Sequence, residues 1–422
     1  MNPDEPLVSA GPMSAPVMDE DGAVKERAWI FGLLIAPSAV VANGVIQGGV
    51  LAYLFSQQGM SSGEQSKLIQ WLALPTSLYF LWSPITDFFV RRRTWLVAGA
   101  WVAAVLLAVA FRQPHLSSQG SLILILIAAC CTQLVVSSCG GMMGALRSDG
   151  ARKTAGSIYQ AGSMGFGALS AWLMLWMSSR TSQANLGLVA AACTALPTLA
   201  AFAAPAQAEI SDSRFADTMR RVWGEFKATF FRRSAIPYIL CMTFPMASGS
   251  AIGLLTGVAK AYGVNGDSIA WMNGLGGGLL TAAGAAVMSL IHYRMRAAVM
   301  YMVVALISCV MSGILWLGPL TPATYYVGST LYFFTVGACY AMFTAVVLEF
   351  LGDSGKSGSG RYAIINSLGN VPVLYMLRVD GWGADRWGAR GLSGAETVVG
   401  GVGAALLLGY LLLNNPAKAA EA

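Results

Sequence analysis

Long apolar stretches without charge dominate the pattern of the chain. Eleven stretches of 16 or more residues contain no Asp, Glu, Lys or Arg. They are 30–63, 68–86, 94–111, 113–146, 154–179, 181–208, 234–259, 268–293, 297–348, 362–377 and 397–417. A helix that crosses a bilayer needs about 20 predominantly apolar residues. The stretch 297–348 counts as two helices because Gly318-Pro319 and Pro322 interrupt it, so the pattern predicts twelve spanning helices.

The shortest stretch, 362–377, spans the bilayer only if Arg378 extends its charged head to the interface. The stretches lack the strict two-residue alternation of a membrane β-barrel, which leaves α-helices as the spanning element. The predicted fold class is therefore an all-α polytopic membrane protein.

Composition supports this class and excludes others. Of 422 residues, 56% are hydrophobic and 11% are charged, whereas a typical soluble domain is about 25% charged. This excludes a soluble enzyme, a nucleic-acid-binding protein and a disulfide scaffold. The seven cysteines and two histidines show no metal-ligand spacing, so we expect neither a metal site nor a cofactor.

The positive charges predict an orientation. If the N-terminus is cytoplasmic, 19 of the 26 Lys and Arg residues fall in inside loops and tails. Cytoplasmic loops of membrane proteins carry such an excess of positive charge. We therefore expect a multi-pass protein of the plasma membrane with both termini in the cytoplasm, and the net charge of +6 reflects topology.

The longest inside connection divides the predicted helices into six and six. We expect a disordered tail over 1–28, helical bundles over 29–206 and 236–414, a linker over 207–235 and a short tail over 415–422. Apolar positions recur every three or four residues from Phe215 to Phe230, and basic residues occupy much of the rest. This predicts an amphipathic helix on the membrane surface, either as a tether between the bundles or as a partner-binding segment.

The most specific motif follows the second predicted helix. It reads Leu81-Trp82-Ser83-Pro84-Ile85-Thr86-Asp87-Phe88-Phe89-Val90-Arg91-Arg92-Arg93. An acid at a helix end faces three arginines across a short inside loop. Asp87 with Arg91, Arg92 and Arg93 forms a candidate gate that closes in one state and separates in another. The alternative is that these arginines only anchor the topology.

This motif resembles the helix 2–3 loop signature of the major facilitator superfamily. The family pattern has a glycine four residues before the acid, where this chain has Ser83. The preceding Ser77–Pro84 segment resembles the peptide–acetyl-coenzyme A transporter group, which contains AmpG-like muropeptide permeases and siderophore importers. A second similar segment runs from Arg361 to Pro372 and continues at Gly381-Trp382-Gly383-Ala384-Asp385.

The resemblance implies two six-helix bundles with a substrate site between them near the midplane. It also implies import of a medium-sized polar solute across a bacterial inner membrane with proton coupling. Muropeptides rank first as cargo and siderophores second. An acyl-coenzyme A ranks third, because it needs cationic contacts that the predicted midplane lacks.

Several polar residues interrupt the apolar stretches and are candidate substrate contacts. Amide and hydroxyl groups both donate and accept hydrogen bonds, which suits a sugar–peptide ligand. The candidates are Asn43, Gln47, Gln133, Tyr340, Asn366 and Asn370. The alternative for each is a hydrogen bond between helices.

No ionisable residue falls at the middle of a predicted span. Asp87, Lys260, Glu349, Arg378 and Asp380 all lie toward helix ends. Glu349, with Arg361 as its partner across a loop, is the candidate for proton coupling. An uncoupled facilitator fits the sequence equally well.

The leading functional hypothesis is a secondary transporter that works by alternating access. The alternative is a transporter-like sensor or scaffold that binds a ligand without moving it. An enzyme is disfavoured because no nucleophile with a base and no acid pair is predicted within a span. The expected partners are a small-molecule substrate, lipid and, if transport is coupled, protons. We expect no nucleic acid and a monomeric chain.

Overall fold

The structure is a computed structural model that describes residues 27, 29–144, 146, 149–204, 215–231, 235–244, 248–291, 296–351 and 367–413. All regular secondary structure within these ranges is helical, which confirms the predicted all-α class. Asn366 and Arg361, and the tails predicted as 1–28 and 415–422 apart from 27, lie outside the described residues.

The described part of the N-terminal half comprises six helices. They are α1 (Ile30–Gln57), α2 (Ser62–Leu78), α3 (Arg92–Ala110), α4 (Gln119–Gly144), α5 (Asp149–Ser178) and α6 (Gln183–Ala203). Residues Ala39–Ile46 of α1 form a π-helical segment, and the Gln47 amide accordingly donates to the carbonyl of Ala42, five residues back.

A linker helix, α7 (Phe215–Phe230), leads to the C-terminal half. The main helices described there are α8 (Ile236–Thr243), α9 (Ser250–Val258), α10 (Gly277–Leu290), α11 (Ala297–Leu317), α12 (Pro322–Leu351) and α13 (Val371–Leu413). A short helix (Gly266–Ile269) and a π-helical segment (Ala270–Gly276) lead directly into α10.

Local sequence explains where the elements begin and turn. A capping box starts α2, in which the Ser61 hydroxyl accepts from the Glu64 amide and the Glu64 carboxylate accepts from the Ser61 amide. The long element α13 reverses at Trp387 and Gly388, where the backbone leaves helical geometry. α13 is therefore two helices joined by a tight turn.

Seven helical segments among the described residues are long and apolar enough to cross a membrane. The most apolar window of α1 is 83% buried, against 39% for α3 and for α6. Since a helix that faces lipid keeps one side exposed, α1 lies inside the bundle and α3 and α6 lie at its surface. The predicted span 362–377 was short because the count stopped at Arg378. The helix in fact continues through Arg378 and Asp380 to the turn at Trp387.

The connections between helices gather at two ends of the bundle. We call one the tight end, where the 57–62, 111–118, 179–182, 260–266 and 385–390 connections meet through hydrogen bonds such as Ser117 to Gln58 and Gln183 to Phe111. We call the other the basic end, where α3 and α11 begin after Arg91 and Arg296 and α7 lies.

The two halves contact each other most closely from the tight end to the middle of the bundle. The Gly63 amide donates to Asp385 Oδ1 at 2.8 Å, and the approach is so close that a Cβ at Gly63 would overlap the same carboxylate. Arg180 and Asp267 form a bidentate ion pair across the same end. The structure is therefore closed at its tight end.

The predicted linker helix is present as α7. On one side Phe230 packs on Phe350 of α12 with ring centroids 6.0 Å apart, whereas Trp223 remains exposed. α7 is therefore anchored to the C-terminal half at the basic end.

Candidate functional site

The amide candidates on α1 keep accessible surface although the helix around them is buried. Asn43 is exposed and Gln47 is partly buried. The Asn43 amide donates to Ser163 Oγ of α5 at 3.2 Å. Asn43 belongs to the π-helical segment and Gln47 borders it, so the two side chains do not follow the 3.6-residue spacing of an α-helix.

The other described candidates differ in environment. Gln133 on α4 is buried, with 3% of its surface exposed. Tyr340 on α12 is 37% exposed, and its hydroxyl packs against Gly249 at the start of α9. Asn370 donates to the carbonyl of Thr76 on α2 at 3.2 Å, a hydrogen bond that joins the two halves toward the basic end.

The arginines of the candidate gate hold helix ends. Arg92 donates to the Gly141 carbonyl of α4 at 2.6 Å, and Arg93 donates to the Ala204 carbonyl after α6 at 2.7 Å. Arg91 is exposed, and the side chain of Asp87 lies outside the described part of the structure. Arg92 and Arg93 thus tie the helix 2–3 loop to neighbouring helices of the same half.

Glu349 lies near the end of α12 in a polar cluster at the basic end. Its carboxylate accepts from the Tyr238 hydroxyl and from the Ala297 amide, both at 2.8 Å, and pairs with Arg296 at 3.6 Å. Hydrogen bonding to Tyr238, opposed by partial burial, raises the pKa of the Arg296 guanidinium. The cation that pairs with Glu349 in the described structure is therefore Arg296, on the loop before α11.

Two buried carboxyl groups were not predicted from the sequence. Asp380 and Glu396 lie on the two limbs of α13, with 0% and 3% of their surfaces exposed. They are seven and eight residues from the turn at Trp387 and Gly388, which places each about 10 Å inside its helix. The expectation that ionisable groups lie only toward helix ends is therefore wrong for this pair.

Hydroxyl groups from two other elements surround the pair. Ser250 at the start of α9 donates to Asp380 at 2.5 Å, and Tyr332 of α12 donates to Glu396 at 2.8 Å. Ser248 lies 2.9 Å from the Ser250 hydroxyl and 3.4 Å from both Glu396 oxygens. The Ser250 hydroxyl also lies 3.3 Å from Glu396 Oε2, so it bridges the two carboxyl groups.

The arrangement can bind and release a proton. Two carboxylates in one buried site cannot readily ionise together, so at least one of the two groups favours its protonated form. The sequence signal for the pair was indirect. Each predicted span was cut at its first charge, and this rule left Asp380 and Glu396 in the connection between the predicted spans 362–377 and 397–417.

Comparison with known proteins identifies the fold. No protein-family model matches the chain, and no curated protein matches it in sequence. A mutant of the nucleoside transporter NupG has a similar structure, with a TM-score of 0.69 and 11% identity, over 92% of this chain and 99% of that chain. A peptide transporter POT in complex with sulfate follows, with a TM-score of 0.65 and 12% identity, over 92% and 94% of the two chains.

A POT family transporter in complex with a thioalcohol-conjugated peptide is also similar, with a TM-score of 0.63 and 13% identity, over 92% and 95% of the two chains. At these identities the likeness concerns the fold alone. The chain therefore has the helical fold of the major facilitator superfamily.

Proposed function

We propose that this chain is a secondary transporter that moves a medium-sized polar solute across the membrane by alternating access, coupled to protons. The observation that carries the proposal is the asymmetry between the two ends of the bundle. The halves close on each other at the tight end, while Asn43, Gln47 and Tyr340 keep accessible surface deeper in the bundle. This is the arrangement expected of a transporter that is open on one side.

The chemistry of the candidate contacts favours a polar, uncharged binding surface. Asn43, Gln47 and Tyr340 offer amide and hydroxyl groups, which bind hydroxyls, amides and sugar rings. The structural neighbours are named for nucleosides and peptides, which are polar solutes of this kind. The sequence resemblance to the AmpG-like group puts a muropeptide first and a siderophore second.

The proposal includes an orientation and a location. The excess of Lys and Arg supports a cytoplasmic basic end, and we propose that the tight end faces outward in the plasma or inner membrane. In this orientation the described conformation is closed to the outside. We further propose that the chain works as a monomer, with Arg92 and Arg93 securing the inner end of the N-terminal half.

Reconstituted uptake tests this function. The purified chain in liposomes is given a radiolabelled anhydro-muropeptide or a ferric siderophore, with and without an inward proton gradient, beside liposomes without protein. We expect saturable uptake of one of the two, raised by the gradient. Saturable binding in a thermal-shift assay without uptake would instead support a ligand-binding sensor.

Residue assignments are tested in the same assay. We expect Asn43→Leu to raise the substrate concentration for half-maximal uptake about tenfold, the loss of one to two hydrogen bonds. Gly120→Ala is the control, because a Cβ at Gly120 has nothing within 4 Å. Equal affinities of the two variants would remove Asn43 from the proposed contacts.

A further inference from the structure

We propose that Asp380 and Glu396 together bind one proton, and that its release is transmitted through the break between α8 and α9 to the contact between the two halves. This inference rests on the proposed function, because it names the group through which a proton would drive the transport cycle. It arises from the described contacts of the pair and not from the sequence, which pointed to Glu349.

The hydrogen bonds around the pair leave a place for one proton. Asp380 Oδ2 accepts from Ser250, and Glu396 Oε1 accepts from Tyr332. Asp380 Oδ1 is buried and receives no hydrogen from any described group. A buried carboxyl oxygen without a donor is costly, and a proton shared between the two carboxyl groups satisfies it.

No described cation neutralises the pair. Neither carboxyl group forms an ion pair with a described Lys, Arg or His, in contrast to Glu349 with Arg296. Two buried negative charges side by side without a cation would carry both a desolvation penalty and mutual repulsion. The described, closed conformation is therefore that of the pair with its one proton bound.

The other titratable groups around the pair are weak acids. Tyr332, Tyr340 and Cys339 face Glu396 from α12, Cys309 faces it from α11, and Tyr375 faces it from α13. From α9 and the residues just before it the pair receives the hydroxyls of Ser248 and Ser250, and α2 presents Ser66 to the backbone beside Asp380. None of these groups supplies a positive charge, so the charge of the pair changes with its own proton.

The break between α8 and α9 is built on the same hydroxyls. α8 ends at Thr243 and α9 begins at Ser250 after Gly249, whose φ of +70° is left-handed. Ser248 and Ser250 flank this glycine and both hydrogen-bond to the carboxyl pair. A carboxylate accepts stronger hydrogen bonds from hydroxyl groups than a protonated carboxyl group does. Ionisation of the pair therefore changes its hydrogen bonds to Ser248 and Ser250 and so acts on the backbone at the break.

The same break lies beside a candidate substrate contact. A Cβ at Gly249 would lie 2.6 Å from the Tyr340 hydroxyl, so the tyrosine rests on the backbone between the two serines. A solute that contacts Tyr340 and a proton on the carboxyl pair therefore act on one short segment of chain. This adjacency gives the two ligands a physical means of coupling.

Two of the elements around the pair, α13 and α9, also contact the N-terminal half. Gly381, next to Asp380, packs on Ser66 of α2 so closely that a Cβ there would overlap the Ser66 hydroxyl. On α9, the Thr256 hydroxyl donates to the Gly49 carbonyl of α1 at 2.9 Å. A movement of α9 or of the first limb of α13 therefore changes the seal at the tight end.

The chemical step is a simple proton transfer. The O–H bond of the protonated carboxyl group breaks, its electron pair stays on the carboxylate oxygen, and the proton passes to water. Two carboxylates remain, and their repulsion acts to separate the two limbs of α13. Proton uptake from water reverses each change.

Infrared difference spectroscopy tests the shared proton with the proton itself as the probe. The full-length chain in lipid vesicles is titrated from acid to alkaline pH, and the C=O stretch of a buried protonated carboxyl group is followed. We expect this band at neutral pH in the wild type and in Asp217→Asn, which removes an exposed carboxylate of α7. The double variant Asp380→Asn and Glu396→Gln should lose it, and each single variant should shift it.

The wild-type titration decides the matter even if a variant does not fold. Absence of a buried carboxyl band at neutral pH in the wild type, or its persistence in the double variant, would overturn the inference. Loss of the band in Glu349→Gln, with retention in the double variant, would assign the proton to the basic-end cluster instead.

Uptake separates the inference from the function on which it rests. In Asp380→Asn we expect gradient-driven uptake of the anhydro-muropeptide, relative to exchange of the same solute, to fall about tenfold or more. A titrating band without uptake of any solute would leave the proton site standing and reject the transporter. Uptake with normal gradient dependence in both variants would reject the proton site and leave the transporter standing.

Discussion

The two halves of the molecule share an architecture but carry different side-chain groups within it. The candidate site of the N-terminal half contributes uncharged groups, Asn43, Gln47 and Gln133, whereas the C-terminal half buries the carboxyl pair of Asp380 and Glu396. Uncharged amides hold a constant charge at every pH, and a carboxyl pair does not. Under the proposed function, the N-terminal half orients the solute and the C-terminal half responds to protons.

The basic end shows a parallel contrast. In the N-terminal half Arg92, at the start of α3, donates to the carbonyl of Gly141 near the end of α4. In the C-terminal half Arg296, just before α11, pairs with the carboxylate of Glu349 near the end of α12. Equivalent helix ends are thus joined by a hydrogen bond from a side chain to a backbone carbonyl in the N-terminal half and by an ion pair in the C-terminal half.

The largest effect is expected when the C-terminal half is made as uncharged as the N-terminal half. In the double variant Asp380→Asn and Glu396→Gln, accumulation of the solute against its gradient should stop, because no proton is exchanged. The measurement is the final ratio of inside to outside solute in proteoliposomes with a proton gradient. Accumulation equal to that of the wild type would show that the carboxyl pair is not what distinguishes the halves.

The next largest effect concerns the seal between the halves. Gly63→Val places a side chain in space that the Asp385 carboxylate already occupies, so the tight end should open at a cost of about 1–3 kcal/mol. This corresponds to a population shift of about 5–150-fold. Spin-label distances across the tight end measure it, with Gly120→Ala as the control that leaves the distances unchanged.

A moderate effect should distinguish the two halves at the basic end. Arg92→Ala removes a partly buried hydrogen bond from a charged donor, worth about 1.5–3 kcal/mol. Arg296→Ala removes a pair whose side chains are 38% and 29% exposed, worth under about 1 kcal/mol. Thermal unfolding in detergent should therefore rank Arg92→Ala below Arg296→Ala, with the exposed Arg112→Ala close to wild type. The reverse order would contradict the contrast between the halves.

The smallest effect is expected at the ion pair that joins the halves. Arg180 and Asp267 are 39% and 58% exposed, so their coupling should be under about 1 kcal/mol and should fall with added salt. A double-mutant cycle with Arg180→Gln and Asp267→Asn, read by unfolding at two salt concentrations, measures it. A coupling that is large and independent of salt would indicate a deeper role in closing the tight end.

The helical membrane class followed from the sequence because apolar length and low charge are strong, cumulative signals. The linker helix α7 followed from three- and four-residue apolar spacing, which the described helix Phe215–Phe230 confirms. The exact course of the last spans did not follow. Counting charge-free windows cuts a span at every charge, so the buried Asp380 and Glu396 fell outside the predicted spans 362–377 and 397–417.

The candidate site residues were chosen from the sequence by residue type, and their geometry was not predicted. Asn43, Gln47 and Tyr340 do retain accessible surface, but their roles in binding stay predictions. The break at Gly249 and the left-handed turn at Gly49 have no distinctive local signal in a chain with 48 glycines. The partnership of Ser248 and Ser250 with the two limbs of α13 depends on contacts more than 100 positions apart in sequence, which no local pattern encodes.

The π-helical segment of α1 has a consequence for how its side chains are aimed. Such a segment contains one residue more per turn than an α-helix, and the surplus residue can move along the helix by exchanging one backbone hydrogen bond for the next. Each such move turns the residues it passes by about 100° around the helix axis. Asn43 lies within one such segment, and Trp271, which packs against Trp172 of α5, lies within the second. Each half therefore carries a site where a side chain can be re-aimed by a shift of register, without any displacement of the helix as a whole.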